Sequence, residues 1–278
     1  MMQITILLEN LVQQRGLTAE HGLSLWLNCN GYNVLFDAGQ SDLFYHNALN
    51  LGIDLSQTDR IVLSHGHYDH GDGFRFFPHN AAGGWPRFFA HPAVFQSRFS
   101  TNKTGERKSV GLAWQPDQLP GLQKHLMLHT GIMTIAPETW VCTHICDQVD
   151  DQQPTPGFEI EQNGQLEADR FCDEQILISR QKQGLVIVTG CSHPGLINIL
   201  QCAHRLFPGD RIHALIGGFH LAALSDQELM GIANALKAFS FDLIVPLHCS
   251  GLSGRCALHS AFPDRCLLLK TGDSLAFS

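Results

Sequence analysis

The chain has 278 residues, with 18 Lys+Arg against 26 Asp+Glu and a formal net charge of −8, a balance that argues against a nucleic-acid binder held by bulk charge. Hydrophobic residues make up 44%, charged residues 16%, and 26 glycines are scattered along the chain, which excludes disorder and collagen-like repeats in favour of a globular protein with a sizeable core. The longest apolar runs fall far short of the roughly 20 residues that cross a bilayer, and MMQITILLEN lacks the basic stretch and cleavage site of an export signal; a cytoplasmic protein is expected, whose partner is a small molecule rather than nucleic acid or membrane.

In chain order, short β-branched runs predict strands at 4–8, 23–27, 33–36, 60–63, 87–89, 176–178, 185–188, 212–216, 243–245 and 266–269. Helices are predicted at 41–51, 195–207 and 225–240. The last opens with Ser225 and Glu228 at capping-box spacing and repeats Leu229, Ile232, Ala233, Leu236 and Phe239 on one face. Strand and helix alternate in both halves, with two strand-rich stretches between, so the class is α/β with mixed rather than purely parallel sheets. No Pro/Ser-rich linker divides the chain, and residues 1–278 read as one domain. The stretch from about 99 to 165 is rich in Thr, Gly, Gln and Pro without a helical period, and reads as an insertion or lid. At its start Arg98, Lys103, Arg107 and Lys108 gather in an otherwise acidic chain; they are candidates for contact with an anionic substrate, the alternative being a solvated loop.

Nine cysteines cannot all pair, and a chain of this size needs no disulfide framework, so reduced thiols are expected. Cys142 and Cys146 flank His144 in a metal-like fragment, but no partner pair at zinc-ribbon spacing follows. The compositional oddity is histidine, with 16 against 18 Lys+Arg. Four of the predicted strands run into histidine-bearing turns: His65-Gly66-His67-Tyr68-Asp69-His70, Gly190-Cys191-Ser192-His193, Gly217-Gly218-Phe219-His220 and Pro246-Leu247-His248. Ligands of open α/β sheets bind outside the carboxyl ends of strands, so these turns deliver imidazoles to one edge. His65 and His67 can reach one cation, and Asp69 and His70 a second cation or the substrate. Imidazole and carboxylate donors suit zinc, one or two ions, whose bound water ionises near neutrality; Mn2+ and Fe2+ accept the same donors. Asp69 would act as a ligand or a proton shuttle.

HGHYDHGDG after IVLS, preceded by VLFDAGQ, resembles the metallo-β-lactamase superfamily. The further segments LLEN, EHGLSL, TGCSHPGLINIL, IGGFHL and LHCSG resemble its metal-dependent hydrolases of β-lactamase superfamily II, a subgroup that includes proteins described as 7,8-dihydropterin-6-methyl-4-(β-D-ribofuranosyl)aminobenzene 5′-phosphate synthases. The resemblance implies a four-layer αββα sandwich with a metal centre at one edge. It assigns His65 and His67 to a first metal and Asp69, His70 and His248 to a second, with Asp37 orienting the histidine loop. Two departures stand out. The third histidine of the first site has no counterpart before the strand at 185, where FCDEQILIS carries Asp173 and Glu174, and Cys191 stands where a bridging aspartate is usual. His193 would then complete the first site, while Cys191 would ligate as a thiolate or merely pack. His220 is a substrate-binding or replacement ligand, and His21 a substrate contact or a structural cap. The implied activity is hydrolysis by a metal-bound hydroxide acting on a small, phosphate-containing anion. The alternatives are dihydropterin transfer with a departing pyrophosphate, a thiol enzyme with Cys191 as nucleophile and His193 as base, and a catalytically idle ligand- or metal-binding sandwich.

Overall fold

In the computed structural model, which describes residues 1–79, 84–102, 104–143, 145 and 157–278, the histidine-tipped apolar runs become neighbouring strands of two large sheets. The first part of the chain forms β1 (Met2–Leu8), β2 (Ser24–Cys29), β3 (Tyr32–Phe36), α1 (Leu43–Asn50), β4 (Arg60–Val62), α2 (Tyr68–Gly71) and β5 (Arg87–Ala90). There follow β6 (Arg98–Thr101), β7 (Arg107–Ser109), β8 (Leu126–Leu128), β9 (Ile132–Ala136), β10 (Thr139–Cys142), β11 (Phe158–Gln162) and β12 (Gln165–Ala168). The last part is β13 (Ile176–Gln181), β14 (Gly184–Thr189), α3 (Leu196–Leu206), β15 (Ile212–Gly218), α4 (Asp226–Leu236), β16 (Leu243–Leu247), α5 (Gly251–Ala261) and β17 (Ser274–Phe277).

One sheet has the order β17-β1-β2-β3-β4-β5-β8 and the other β16-β15-β14-β13-β10-β9. Both are mixed: β3, β4, β5 and β8 run parallel, as do β14, β15 and β16, while the remaining pairs are antiparallel. Alternate side chains serve different layers, as the two-residue period of a strand requires. Val186 and Val188 face the core between the sheets with Ile4, Leu25 and Phe36, whereas Leu185 and Ile187 face α3, α4 and α5. On the far side Leu35 and Ile61 pack with Phe44 and Ala48 of α1. The four-layer αββα order follows from these three cores, each fully buried Val, Leu or Ile contributing roughly 1.5–3 kcal/mol. At α4 both halves of the Ser225–Glu228 capping box form.

Several expectations need correction. Residues 266–269 form no strand: Cys266 makes a single bridge to Ile244, and Leu267 and Leu268 turn toward solvent, so the alternate burial that rewards pairing is missing. The stretch from 99 to 165 is not one insertion. β8, β9 and β10 complete the two large sheets, while β6, β7, β11 and β12 form a separate antiparallel sheet of order β12-β11-β6-β7. α5 escaped the sequence reading because its buried face is Gly254, Arg255 and Leu258, only one of them apolar. Among the described residues no helix is long and apolar enough to cross a membrane.

Candidate metal centre

The carboxyl ends of β3, β4, β14, β15 and β16 meet at one edge, and the backbone there is bent sharply. Asp37, Ser192, His220 and His248 all have φ between 45° and 61°, a conformation that costs a non-glycine residue free energy and persists only where surrounding contacts impose it. Two glycines let the loops touch. A Cβ on Gly190 would lie 2.2 Å from Ser64 Oγ, and one on Gly218 would lie 2.3 Å from the Gly190 carbonyl oxygen and 2.6 Å from Cys249 Sγ.

His65, His67 and His193 bring one donor atom each within 4.8 Å of one another. Beside them, His70 Nε2 lies 3.1 Å from Cys191 Sγ and 3.2 Å from His248 Nε2, and His248 Nε2 lies 3.3 Å from Asp69 Oδ2. These ligand candidates are all buried. Behind them, Asp37 accepts from Ser64 N and Ser64 Oγ, both at 2.7 Å, and lies 2.6 Å from His70 Nδ1. Asn10 Oδ1 lies 2.8 Å from His248 Nδ1, and buried Glu9 accepts from His248 N while pairing with Arg255. Such contacts fix which ring nitrogen faces inward.

The donor set fits a divalent cation. His65 Nε2 and His67 Nε2 are buried without a hydrogen-bond partner among the described residues, a loss of about 1–3 kcal/mol for each group that a cation would remove. Burial, with neighbouring imidazoles, holds His65 and His193 well below the ordinary histidine pKa, and burial takes His67 down to about 3. All three are neutral, as ligands must be. Burial pushes the Asp69 carboxyl up, but the His70 charge and hydrogen bonds from His21 and His248 override it, leaving Asp69 well below the usual range. For His70, burial is outweighed by Asp37 and Asp69, so its pKa rises to about 9, and a cation held there would have to displace a proton. Burial and the adjacent Cys249 push the Cys191 thiol up, which weighs against Cys191 as a free nucleophile. Cys249 is held low by hydrogen bonds with Cys191 and His220 in spite of burial.

A cleft of about 380 Å³ opens over this cluster. His21 stands at its mouth with its side chain 54% exposed, Nε2 3.0 Å from Asp69 Oδ2 and its ring 4.8 Å from that of His248. The His220 ring lies 4.3 Å from that of His193, and His220 N donates to Cys249 Sγ at 3.2 Å. Phe158 stacks on His67, and Phe171 stacks on His193 at 3.8 Å.

Of the basic stretch, Arg98, Arg107 and Lys108 do not line the cleft. Arg98 is 1% exposed and turned inward onto Asp169 and Asp173, at 2.8 Å each, because a guanidinium buried there requires carboxylates. Arg107 is exposed and paired with Glu159, and Lys108 is exposed near Glu106. Lys103 lies outside the described residues, as do His144 and Cys146, while Cys142 is buried in β10. No Lys or Arg lines the cleft among the described residues. Glu9, Asn10, Glu174 and Cys249 were not anticipated as site residues. For Cys249 the signal was present, as the residue following a strand-terminal histidine.

Residues 17–79 match the family model described as the metallo-beta-lactamase superfamily. The solved structure of Tm1679, a metal-dependent hydrolase of the beta-lactamase superfamily, superposes with a TM-score of 0.82 at 30% identity, covering 99% of both chains. The 7,8-dihydropterin-6-methyl-4-(beta-D-ribofuranosyl)-aminobenzene-5′-phosphate synthase of Methanocaldococcus jannaschii is 27% identical over 267 residues, 93% of this chain and 90% of that protein. An uncharacterized protein of the same organism is 29% identical over 248 residues, 89% of this chain and 90% of that one. With its sandwich layers, strand-end histidines and full-length likeness to Tm1679, this chain belongs to the metallo-β-lactamase superfamily.

Proposed function

We propose that the protein is a metal-dependent hydrolase of a small, anionic, phosphate-containing substrate. His65, His67 and His193 would hold one divalent cation and Asp69, His70 and His248 a second, with Cys191 between the two sets. Zinc suits these donors, and Mn2+ or Fe2+ could take the same places. When bound, such ions act as Lewis acids and bring the pKa of water near 7. The protein's own groups prepare the site for that chemistry. Asp37 turns His70 Nε2 inward, Asn10 does the same for His248, and His21 presents a hydrogen-bonding group beside Asp69 at the cleft mouth. Phe158 covers His67 and limits water. Because no Lys or Arg lines the cleft among the described residues, neutralising a phosphate would fall to the cations. A cytoplasmic setting, which keeps Cys191 and Cys249 reduced, goes with this reading.

The observation that carries the proposal is the convergence of three buried, neutral imidazoles from two separate loops, with donor atoms within 4.8 Å of one another. Elemental analysis of the purified protein, followed by a phosphomonoester, phosphodiester, lactone and thioester panel on the same sample, tests it. Bound metal with turnover that a chelator abolishes is expected, and turnover in metal-free protein would refute the mechanism. The likeness to the dihydropterin-type synthase over most of both chains favours a second reading, group transfer at the same centre. Under that reading the hydrolytic panel stays blank, and a dihydropterin diphosphate with an aminobenzene acceptor gives a condensed product.

A further inference from the structure

Glu174 and Asp173 sit in the turn before β13, where the first-site ligand set showed its departure from the expected pattern. Glu174 is 0% exposed, and its carboxylate faces three consecutive backbone N–H groups. Oε1 accepts from Cys191 N at 3.2 Å and from Ser192 N, and Oε2 accepts from His193 N at 2.7 Å. Asp173, also 0% exposed, accepts from Gly66 N at 2.8 Å and pairs with Arg98. Gln175 continues the run: its N donates to the Ser64 carbonyl at 2.8 Å, and its Nε2 donates to the carbonyls of Leu63 and Phe89. Three successive buried side chains from one turn thus grip the loop of His65 and His67 and the loop of Cys191 and His193.

We propose that Asp173-Glu174-Gln175 is a positioning clamp that registers the two loops of the first metal site, with Glu174 as the residue on which the placement of Cys191 and His193 depends. The proposal rests on the metal-centre reading above. The physical argument is one of backbone strain and of buried N–H groups that need acceptors. Ser192 sits at φ +61°, so the loop cannot hold its shape by intrinsic preference, and the two Glu174 oxygens are the acceptors on which three buried N–H groups converge. A glutamine in place of Glu174 would turn an amide N–H₂ toward N–H donors and lose at least one of the three bonds.

The test compares wild type, Glu174→Gln and Glu174→Asp as full-length protein, titrated with Co2+ alone against a competing chelator. Amide hydrogen exchange over 190–195 and the melting temperature are read on the chelated samples. The expected result is a weakening of Co2+ binding by about 10–100-fold in the glutamine variant, the range seen for residues that orient ligands. The aspartate variant, which keeps the carboxyl group but has a shorter reach, should fall between. Exchange should rise in 190–195 while the rest of the chain keeps its protection. Wild-type Co2+ affinity and spectrum in Glu174→Gln would overturn the clamp, as would exchange raised uniformly over the chain. If Glu174→Gln fails to fold, Glu174→Asp decides alone by the same two readings. A wild-type protein that takes up no Co2+ would instead sink the metal-centre reading, so the two failures are distinguishable.

Discussion

Asp37 Oδ2 and His70 Nδ1 lie 2.6 Å apart, with both side chains wholly buried. Because the outer nitrogen is committed to the carboxylate, Nε2 is the atom turned toward Cys191 and His248. Asp37→Asn keeps the shape but can offer an N–H₂ where the ring needs an acceptor. Metal affinity should fall by about 10–100-fold, read by competition with a chromophoric chelator. Unchanged affinity would mean that His70 is held by something else.

His67 separates function from stability. Its Nε2 is buried without a partner among the described residues, so in chelated protein the ring carries an unmet polar atom. His67→Leu should abolish bound metal and turnover, yet the chelated variant should be about 1 kcal/mol more stable than chelated wild type, the lower end of the desolvation cost removed. Paired urea melts would show it, and a variant less stable than wild type in both states would contradict it.

Arg98 gives the opposite pattern. Replacing it with Met leaves Asp169 and Asp173 buried without their cation. Stability should fall by about 3–5 kcal/mol, while KM for any substrate found should change little in the protein that remains folded. A large KM increase without destabilisation would restore the role in substrate contact that the sequence suggested.

Chelated protein should lose stability on acidification. In chelated protein His65, His67 and His193 have folded-state pKa values below 6.5, with His67 at about 3. Below pH 6.5 the unfolded chain therefore binds more protons, and stability falls as pH falls, by up to about 1.4 kcal/mol per pH unit for each ring. Glu174 opposes this: burial raises it to about 8, so its contribution is complete below 4.5 and is lost as pH rises through 8. Glu9, Asp72 and Asp169, also raised by burial, act in the same sense as Glu174 and reduce the loss, but with His65, His67 and His193 all shifted far down, chelated protein should still lose stability from pH 6.5 to 4.5. Thermal melts of chelated protein across that range check this; stability that holds steady or rises from pH 6.5 to 4.5 would count against buried neutral rings.

The parts legible in the sequence were those written contiguously. HGHYDH follows an apolar run, and His193 and His248 follow others, so strand ends and candidate ligands could be read together. The αββα layering was implied by resemblance, and the mixed sheets by the order of elements. The hidden parts act across long separations. Glu9 reaches His248 N over 239 residues and Glu174 reaches His193 N over 19, each through backbone N–H groups that no side-chain pattern announces. Arg98 reads as a surface charge because the carboxylate that draws it inward, Asp169, comes 71 residues later.

The glycine gaps at 190 and 218 set what can change at this centre. With Gly190 pressed against Ser64 and Gly218 against Gly190 and Cys249, a single added methyl would push apart loops that belong to different halves of the molecule. Asp69, Cys191, His193 and His248 border the cleft instead, so one of these side chains can be exchanged without moving the backbone. Diversification on this frame should therefore run through substitutions of ligand chemistry, such as thiol for carboxylate at 191, while the spacing of the loops stays fixed.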